Sequence, residues 1–518
     1  MSGSDAQNLA WLASELGAIR RELLPATGSR ALYLALDQGG NSSRAALYDA
    51  TGREVAMAHV PIATRRDADR VEHDAEELLR SLLAAAREVL DSPLAAGRPV
   101  AAAGLATQRS TVCCWDAQDG SPLGTAISWQ DRRNAAWLDQ QLGTRSGWVR
   151  ELTGLPLSPH YGASKLRWCL DELPAVRLAL RDERLLMGPL ASFLVQRLCR
   201  ERPAVVDPAN ASRTLLFDPA ILVWSEPLLQ AFGIPRSVLP RCVGTVGEFG
   251  TLLVGHEQGA IPLRACSGDQ SAALFAFGTP DATVALVNLG TGAFVQRVAR
   301  DAAGLPPRGL LQSVVSARMD DSRSAVYCHE GTVNGAWAAV EWLRGRIGAD
   351  VARALRTLQT SLPPDRVELL FMNGVGGLAA PFWLPAFESE FLDLAGQPVP
   401  GTVDELQQIA ALVDSITFLV ATNVALMHRA APLRRIVVTG GLAGCDYLCE
   451  VLAEVTGLAV ERPEIHEATA RGIAFLAAGQ PGDWASMRVE QSFAPRGRSA
   501  VLERFGRWRE AMARRGAQ

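Results

Sequence analysis

The sequence predicts an α/β protein of two similarly organised halves with a cleft between them. Three observations carry that expectation. The chain has 518 residues, enough for two or three domains rather than one. Near the start, an apolar run over residues 31–36 enters the turn Asp37-Gln38-Gly39-Gly40 and returns as a strand over 44–48. Past the middle the pattern recurs: residues 283–288 read as a strand, Gly290-Thr291-Gly292 as a turn, and 294–298 as the returning strand.

The elements follow in chain order. Leu9, Trp11, Leu12, Leu16, Ile19 and Leu23 recur at roughly helical spacing, so the extension over residues 1–29 reads as an amphipathic helix laid on the body. Asp5, Glu15, Arg20, Arg21 and Glu22 break any signal-peptide core there. The compact body starts at Ala31. Asp49-Ala50-Thr51-Gly52 has the residues of a second tight turn, residues 54–62 follow as a third strand, and 75–90 have a helical pattern. Phe277-Gly278-Thr279-Pro280 separates an apolar helix from the second opening strand and marks the boundary between the halves. Farther on, 435–439 reads as a strand, Gly440-Gly441 as a turn, 445–456 as a helix and 458–460 as another strand. Residues 468–478 form a helix of small residues able to pack closely on a neighbour. From about Ser486 the chain is polar and Arg-rich, and reads as a peripheral helix with solvated charge.

Composition narrows the function classes. With 48% hydrophobic and 20% charged residues, the chain is an ordinary globular protein with a large core. A net charge of -4 gives no reason to expect nucleic acid or an anionic membrane as partner. Lys165 is the only lysine, and the scarcity reads as compositional bias toward Ala and Arg. No lysine stands in a Gly-x-x-x-x-Gly-Lys loop or after a Val-Ala-Ile run, which argues against a P-loop NTPase and a protein-kinase fold. Cys113, Cys114, Cys169, Cys199, Cys242, Cys266, Cys328, Cys445 and Cys449 form no Cys-x-x-Cys pair and no zinc spacing. Buried free thiols in a reducing cytoplasm are the better reading. No apolar run long enough to span a bilayer is apparent.

Phosphoryl transfer to an alcohol is mostly positioning and charge neutralisation, with a metal on the phosphate oxygens and a carboxylate accepting the hydroxyl proton. Backbone N–H groups in glycine turns can cradle phosphate, because glycine lets the chain approach closely. Three such turns follow strands here: Gly39-Gly40, Gly290-Thr291-Gly292 and Gly440-Gly441. Each alone is more often an ordinary turn. Together with Asp37 at the end of the first strand they carry information.

At this point the residues resemble a family. Leu36-Asp37-Gln38-Gly39-Gly40-Asn41-Ser42-Ser43-Arg44 resembles the first phosphate motif of the FGGY carbohydrate kinases, glycerol kinases in particular. Gln108-Arg109, followed by Ile127-Ser128-Trp129-Gln130-Asp131-Arg132-Arg133, resembles their substrate-binding segment. Asn210-Ala211-Ser212-Arg213-Thr214-Leu215-Leu216-Phe217 is similar to a further glycerol kinase pattern. Gly268-Asp269-Gln270-Ser271-Ala272-Ala273-Leu274-Phe275 resembles the segment with the catalytic aspartate, and Gly290-Thr291-Gly292 the second phosphate motif. Val438-Thr439-Gly440-Gly441, with Val460-Glu461-Arg462-Pro463-Glu464 beyond it, is similar to the adenosine segment. Order and spacing hold from about residue 31 to 480.

The resemblance implies the actin-like, hexokinase-like (ribonuclease H-like) fold, with two α/β domains closing on ATP. It implies a substrate-binding domain over 30–278, a nucleotide-binding domain over 279–485 and a peripheral tail over 486–518. By that likeness Asp269 is the general base, and Arg109, Ser110, Trp129, His160, Gln270 and Phe294 contact a small polyhydroxylated substrate. Asp37 approaches Mg²⁺ through water. Gly40, Asn41, Ser42, Arg44, Gly290, Thr291, Gly292, Trp337, Glu341, Gly440, Gly441 and Cys445 fall on the nucleotide side. A homodimer or homotetramer is implied in the same way. Without the flanking motifs, Asp269 would read as a helix-capping aspartate, Asp37 as a turn residue, and Trp129 and Phe294 as core aromatics.

The departures from the family pattern shape the expectation. Glycerol kinases have Thr-Thr where Gly40-Asn41 stand, Glu at Ser110 and Tyr at His160, a group able to titrate near neutrality. They have Gly at Trp337, Gln at Glu341, Asn at Cys445 and Asp at Leu384. The changes at Ser110 and His160 count against glycerol and favour a larger polyol, a sugar or an unusual alcohol. Those at Gly40, Asn41, Trp337 and Cys445 keep a second reading open, a catalytically reduced member acting as a ligand-binding or regulatory module. A related actin-like ATPase without a small substrate is a third, and it leaves Arg109, Trp129 and Phe294 without a task.

Overall fold

Short apolar strands separated by tight turns build two sheets that share one strand logic. The computed structural model describes residues 30–254, 260–299, 306–348, 350–399, 404–464, 467–482, 484 and 488–517, so the helix expected over 1–29 lies outside the described residues. The first sheet has six strands in the spatial order Val246–Thr251, Pro262–Gly268, Val100–Thr107, Leu32–Gln38, Ser42–Asp49, Glu54–Pro61. The second has seven: Leu311–Arg318, Asp321–Val333, Ala293–Ala299, Val284–Leu289, Arg435–Thr439, Ala459–Pro463, Val489–Phe493. In both, a three-stranded antiparallel meander is extended by two strands added in parallel. This is the duplication that the two glycine-turn openings predict.

Register decides what the sheets present. Asp37 pairs with Ala106, Gln38 with Thr107, and Thr107 with Gly268. The chain therefore leaves three neighbouring strands at one edge, where Asp37, Gln108-Arg109 and Asp269 come side by side. In the second sheet Asn288 pairs with Thr439, so Gly290-Thr291-Gly292 and Gly440-Gly441 also leave at a common edge. The carboxyl ends of parallel strands are where open α/β sheets take their ligands.

Alternation along the opening strand explains how it is covered. Leu32, Leu34 and Leu36 face a core that includes helix Ala75–Leu90, while Ala35 faces helix Ala468–Ala477. Asp74 caps the first of these helices, accepting from the N–H groups of Glu76 and Glu77. The second crosses the short helix Asp269–Ala273 at Gly472, where an added Cβ would lie 1.8 Å from the Ala272 carbonyl oxygen. Only glycine admits that approach. The small-residue composition of 468–478 is thus used as expected, on the helix that follows the base candidate.

A third sheet of five short strands, Arg65–Asp67, Arg70–His73, Ala126–Ile127, Val112–Asp116 and Leu185–Pro189, was not legible in the sequence. It carries Trp129 just past one of its strands. Two expectations need correction. Helix Glu405–Ala430 is long and apolar enough by length and composition to cross a membrane, although no such run was apparent in the sequence; 83% of its most apolar window is buried inside the second half. The tail is not a merely solvated helix. Val489–Phe493 joins the second sheet, and helix Ser499–Arg514 buries Trp508 and pairs Arg504 with Asp414 at 2.7 Å. Buried partners from distant sequence neutralise a charge that the local composition left looking exposed. Eight of the nine cysteines are buried and all are free.

Gly472→Ala should cost about 1–3 kcal/mol, the ordinary penalty of overpacking. Its thermal midpoint should fall against wild type, and an unchanged midpoint would show that the two helices do not meet as described.

Candidate active site

The first cluster stands at the carboxyl edge of the first sheet. Asp37 is the penultimate residue of its strand, with only 2% of its surface exposed, and Arg44, on the returning strand and opposite it in register, donates to its Oδ2 at 3.2 Å. Arg44 also lies 3.6 Å from Glu467, the residue just before helix Ala468–Ala477. Burial pushes the Asp37 carboxyl up to about 7; Arg44 opposes this, and the carboxylates of Glu467 and Asp269 reinforce it. Asp269 opens its helix and accepts from the Gln270 N–H at 2.7 Å. Burial raises its pKa as well, with Arg109, 3.6 Å from Oδ1, pulling the other way.

Arg109 connects this edge to the second half. Its Nη2 donates to Glu330 Oε2 at 2.7 Å. Glu330 is fully buried on strand Asp321–Val333, and also lies 3.3 Å from Arg213 Nη1 and accepts from Gln296 Nε2 at 3.0 Å. These cations hold its carboxyl below the usual range against the opposing effect of burial. The remaining fork nitrogen, Arg109 Nη1, is buried with no partner. An unpaired buried donor is costly, so its natural complement is a ligand oxygen.

A platform of rings lies beside Arg109. Trp129 and His160 have ring centroids 5.5 Å apart, and His160 and Tyr161 4.9 Å apart. The Trp129 indole nitrogen lies 3.7 Å from the position a Cβ on Gly40 would take. Burial and then Arg213, Lys165, Arg109 and Arg132 press the His160 pKa well below its ordinary value. The imidazole is therefore neutral near pH 7, which corrects the expectation of a group titrating there. Ser110 is buried in the left-handed region (φ 66°), its hydroxyl donating to the Arg213 carbonyl at 3.3 Å. Phe294 is partly buried opposite Asn288 in register, and Asn288 Nδ2 donates to Gln270 Oε1 at 3.5 Å.

The glycine turns are drawn together differently. Gly39 N–H donates to the Ser42 carbonyl at 3.0 Å, Ser42 itself is buried, and Asn41 is exposed at the tip. Gly290 N–H donates to the Gly292 carbonyl, leaving Thr291 exposed. Gly440 has φ 88°, and an added Cβ would lie 2.7 Å from both Asn288 Oδ1 and the Leu289 carbonyl; Gly441 beside it is exposed. Helix Trp337–Ile347 abuts the Gly290 turn, since the N–H groups of Trp337 and Ala338 donate to the carbonyls of Gly290 and Thr291. The Trp337 side chain packs against the core of the second half. Glu341 is paired 2.6 Å from Arg344 on its own helix. Cys445 does not join this group: its thiol is buried in the core, donates to the Leu355 carbonyl and is pushed up to about 11 by burial.

With this geometry, comparison with known proteins is decisive. A model of the N-terminal domain of the FGGY family of carbohydrate kinases matches residues 32–276, and a model of its C-terminal domain matches 285–480. The chain belongs to that family. A glycerol kinase of Methylibium petroleiphilum is 34% identical over 501 residues, spanning 92% of this chain and 98% of its own. A glycerol kinase of Dechloromonas aromatica is 34% identical over 497 residues, spanning 93% and 97%. In fold, the chain is similar to glycerol kinase of Plasmodium falciparum with ADP, with a TM-score of 0.84 at 22% identity over 95% of this chain and 100% of that one. It is also similar to xylulose kinase of Rhodospirillum rubrum, at 0.79 and 18% over 93% and 98%.

The protein is therefore a carbohydrate or polyol kinase of the actin-like two-domain fold, transferring a phosphoryl group from ATP to a hydroxyl of a small polyol or sugar. Sequence reasoning assigned no role to Glu330, Arg213, Glu467 or Lys165. The available signals were slight: an acid before a small-residue helix, an acid before Gly331, a lone lysine, and for Arg213 its place in the segment 210–217. Glu330→Ala in this kinase should cost about 3–5 kcal/mol, because it strands Arg109 and Arg213 as buried uncompensated charges. Denaturant unfolding measures it, and a loss below about 1 kcal/mol would mean the cluster is not the tie described here.

Proposed function

We propose that this kinase phosphorylates a polyol or sugar larger than glycerol, with Asp269 as general base. The observation that carries the reading is Asp269 beside Arg109, with the one unpartnered nitrogen of that arginine buried next to it. The acceptor hydroxyl gives its proton to an Asp269 oxygen as its oxygen bonds the γ-phosphorus, and the bond to the ADP oxygen breaks. Burial supports this role, since a carboxylate raised toward the working pH accepts a proton more readily. Arg109 Nη1 would donate to an acceptor oxygen, and Trp129, His160 and Phe294 would form the wall along its carbon chain. Gln270 would help to orient the acceptor.

Preference for a larger acceptor rests on Ser110. Its hydroxyl is used by the Arg213 carbonyl, so it offers no charged acceptor to grip two hydroxyls of a small triol. A longer carbon chain would gain apolar contact with the Trp129–His160 platform instead. On the nucleotide side, Gly40, Asn41, Ser42 and Arg44 would meet the phosphates with Gly290-Thr291-Gly292. Gly440 and Gly441 would meet the adenosine, flanked by the helix of Trp337 and Glu341.

Asp37 would approach Mg²⁺ through water. The residues present fit such an ion: Asp37 and Asp269 are hard oxygen donors, Asp269 close enough to raise Asp37, and Asp37 is buried with a single arginine as counter-charge. No group of three or more His, Cys, Asp or Glu suited to a metal occurs among the described residues, which suits an ion held largely by phosphate and water. When bound, Mg²⁺ neutralises charge on the phosphate oxygens. The buried free thiols support a cytoplasmic location.

Asp269→Asn should lower kcat by about 10²–10⁴-fold while ADP affinity, read by calorimetry, stays near wild type. Wild-type turnover in that variant removes the base assignment. Asp37 must be ionised to face a hydrated cation, and its carboxyl titrates at about 7. Wild-type kcat/KM for ATP should therefore fall as pH drops through 7, and Asp37→Asn should be slower throughout and lack that acidic limb. An identical limb in the variant would assign the titration elsewhere.

A further inference from the structure

Lys165 is the only lysine among 51 basic residues, so fifty positions took arginine and one did not. It sits on helix Gly162–Glu172, 1% exposed. Its Nζ donates to the Ser110 carbonyl at 3.1 Å and to the His160 carbonyl at 2.6 Å. These two carbonyls belong to different segments. One follows Arg109 on the way from the first sheet to the third; the other ends the loop before the lysine's own helix. Ser110 adopts its left-handed conformation at this junction, a strained choice for a residue with a side chain.

We propose that Lys165 is a positioning residue for the acceptor pocket, clamping the main chain at Ser110 and His160 so that Arg109 and the Trp129–His160 platform keep a fixed separation. This rests on the reading above that these residues receive the acceptor. An ammonium suits the task because it is compact and its donors diverge, whereas a planar guanidinium needs more room and more acceptors. An apolar residue of equal length would leave two buried carbonyls without this donor. The charged groups around Lys165 are Asp131, which favours its cation, and Arg133, which opposes it; Arg133 is itself paired with Asp131 and Glu72. Across the clamp lie His160, held neutral, and Arg109 with its carboxylates. Burial pushes the Lys165 amine down to about 7. An amine in either protonation state has the two N–H groups the clamp uses.

The test compares Lys165→Met, Lys165→Arg and His160→Phe with wild type, using glycerol, xylitol and xylulose as acceptors and taking whichever wild type turns over fastest. Both lysine variants should raise the acceptor KM about tenfold or more while the ATP KM stays within about twofold. A general structural defect would move both constants together, and that result overturns the clamp. If His160→Phe raises the acceptor KM and Lys165→Met does not, the clamp is wrong and the pocket stands. If neither moves it, both fail. A second measurement needs no variant. Wild type labelled with ¹³Cε-lysine has a single lysine signal, which should shift on adding acceptor. A signal indifferent to acceptor overturns the proposal.

Discussion

Glu330 has no exposed surface, yet it carries a negative charge, and two arginines from the other half of the molecule close on it. A carboxylate in that position is tolerated only when it is paired and hydrogen-bonded. Pairing here does more than neutralise. It sets one edge of the Arg109 guanidinium against the second half, turns the Nε edge toward Asp269, and leaves Nη1 buried without a partner. The arginine can be aimed so tightly because its fork is planar and cannot lose its proton. Position of the base, availability of a donor and attachment of the halves thus depend on one buried ion cluster.

Around it, backbone geometry supplies what side chains alone cannot. Parallel register brings Asp37, Arg109 and Asp269 to a common edge, although 232 positions separate the first from the last. Gly472 lets the helix carrying Thr469 approach close enough for its hydroxyl to donate to the Asp269 carbonyl at 3.3 Å. The same helix is preceded by Glu467, which shares Arg44 with Asp37. Three carboxylates and two arginines are therefore gathered from five segments. Burial raises Asp37 most, the carboxylates of Glu467 and Asp269 add to it, and Arg44 opposes them.

Much of this was legible in the sequence because the signals are local. Strand, glycine turn and returning strand are encoded within about twenty residues, and the small-residue pattern over 468–478 announces close packing without naming the partner. Asp37 stood out at a strand end before a glycine turn, whereas Arg109 and Asp269 stood out through the resemblance of their segments to the family motifs. What could not be read depends on distant partners. Glu330 meets Arg109 across 221 positions, and Arg504 meets Asp414 across 90, so each looks like an ordinary surface charge in its own neighbourhood. Cys445 misleads for a related reason: it follows a glycine turn, but the helix Asp446–Thr456 that starts beside it turns the thiol into the core. His160 looks titratable until burial and four cations are placed around it.

The geometry of Asp269 in a complex is the most direct measurement of the account's central claim. Crystals with Mg²⁺, ADP, a fluoroaluminate and an acceptor polyol would fix where the acceptor hydroxyl lies relative to that carboxylate. The account predicts an Asp269 oxygen about 2.6–3.2 Å from the hydroxyl that faces the fluoroaluminate. A carboxylate turned from that hydroxyl, with another group in contact with it, would contradict the account.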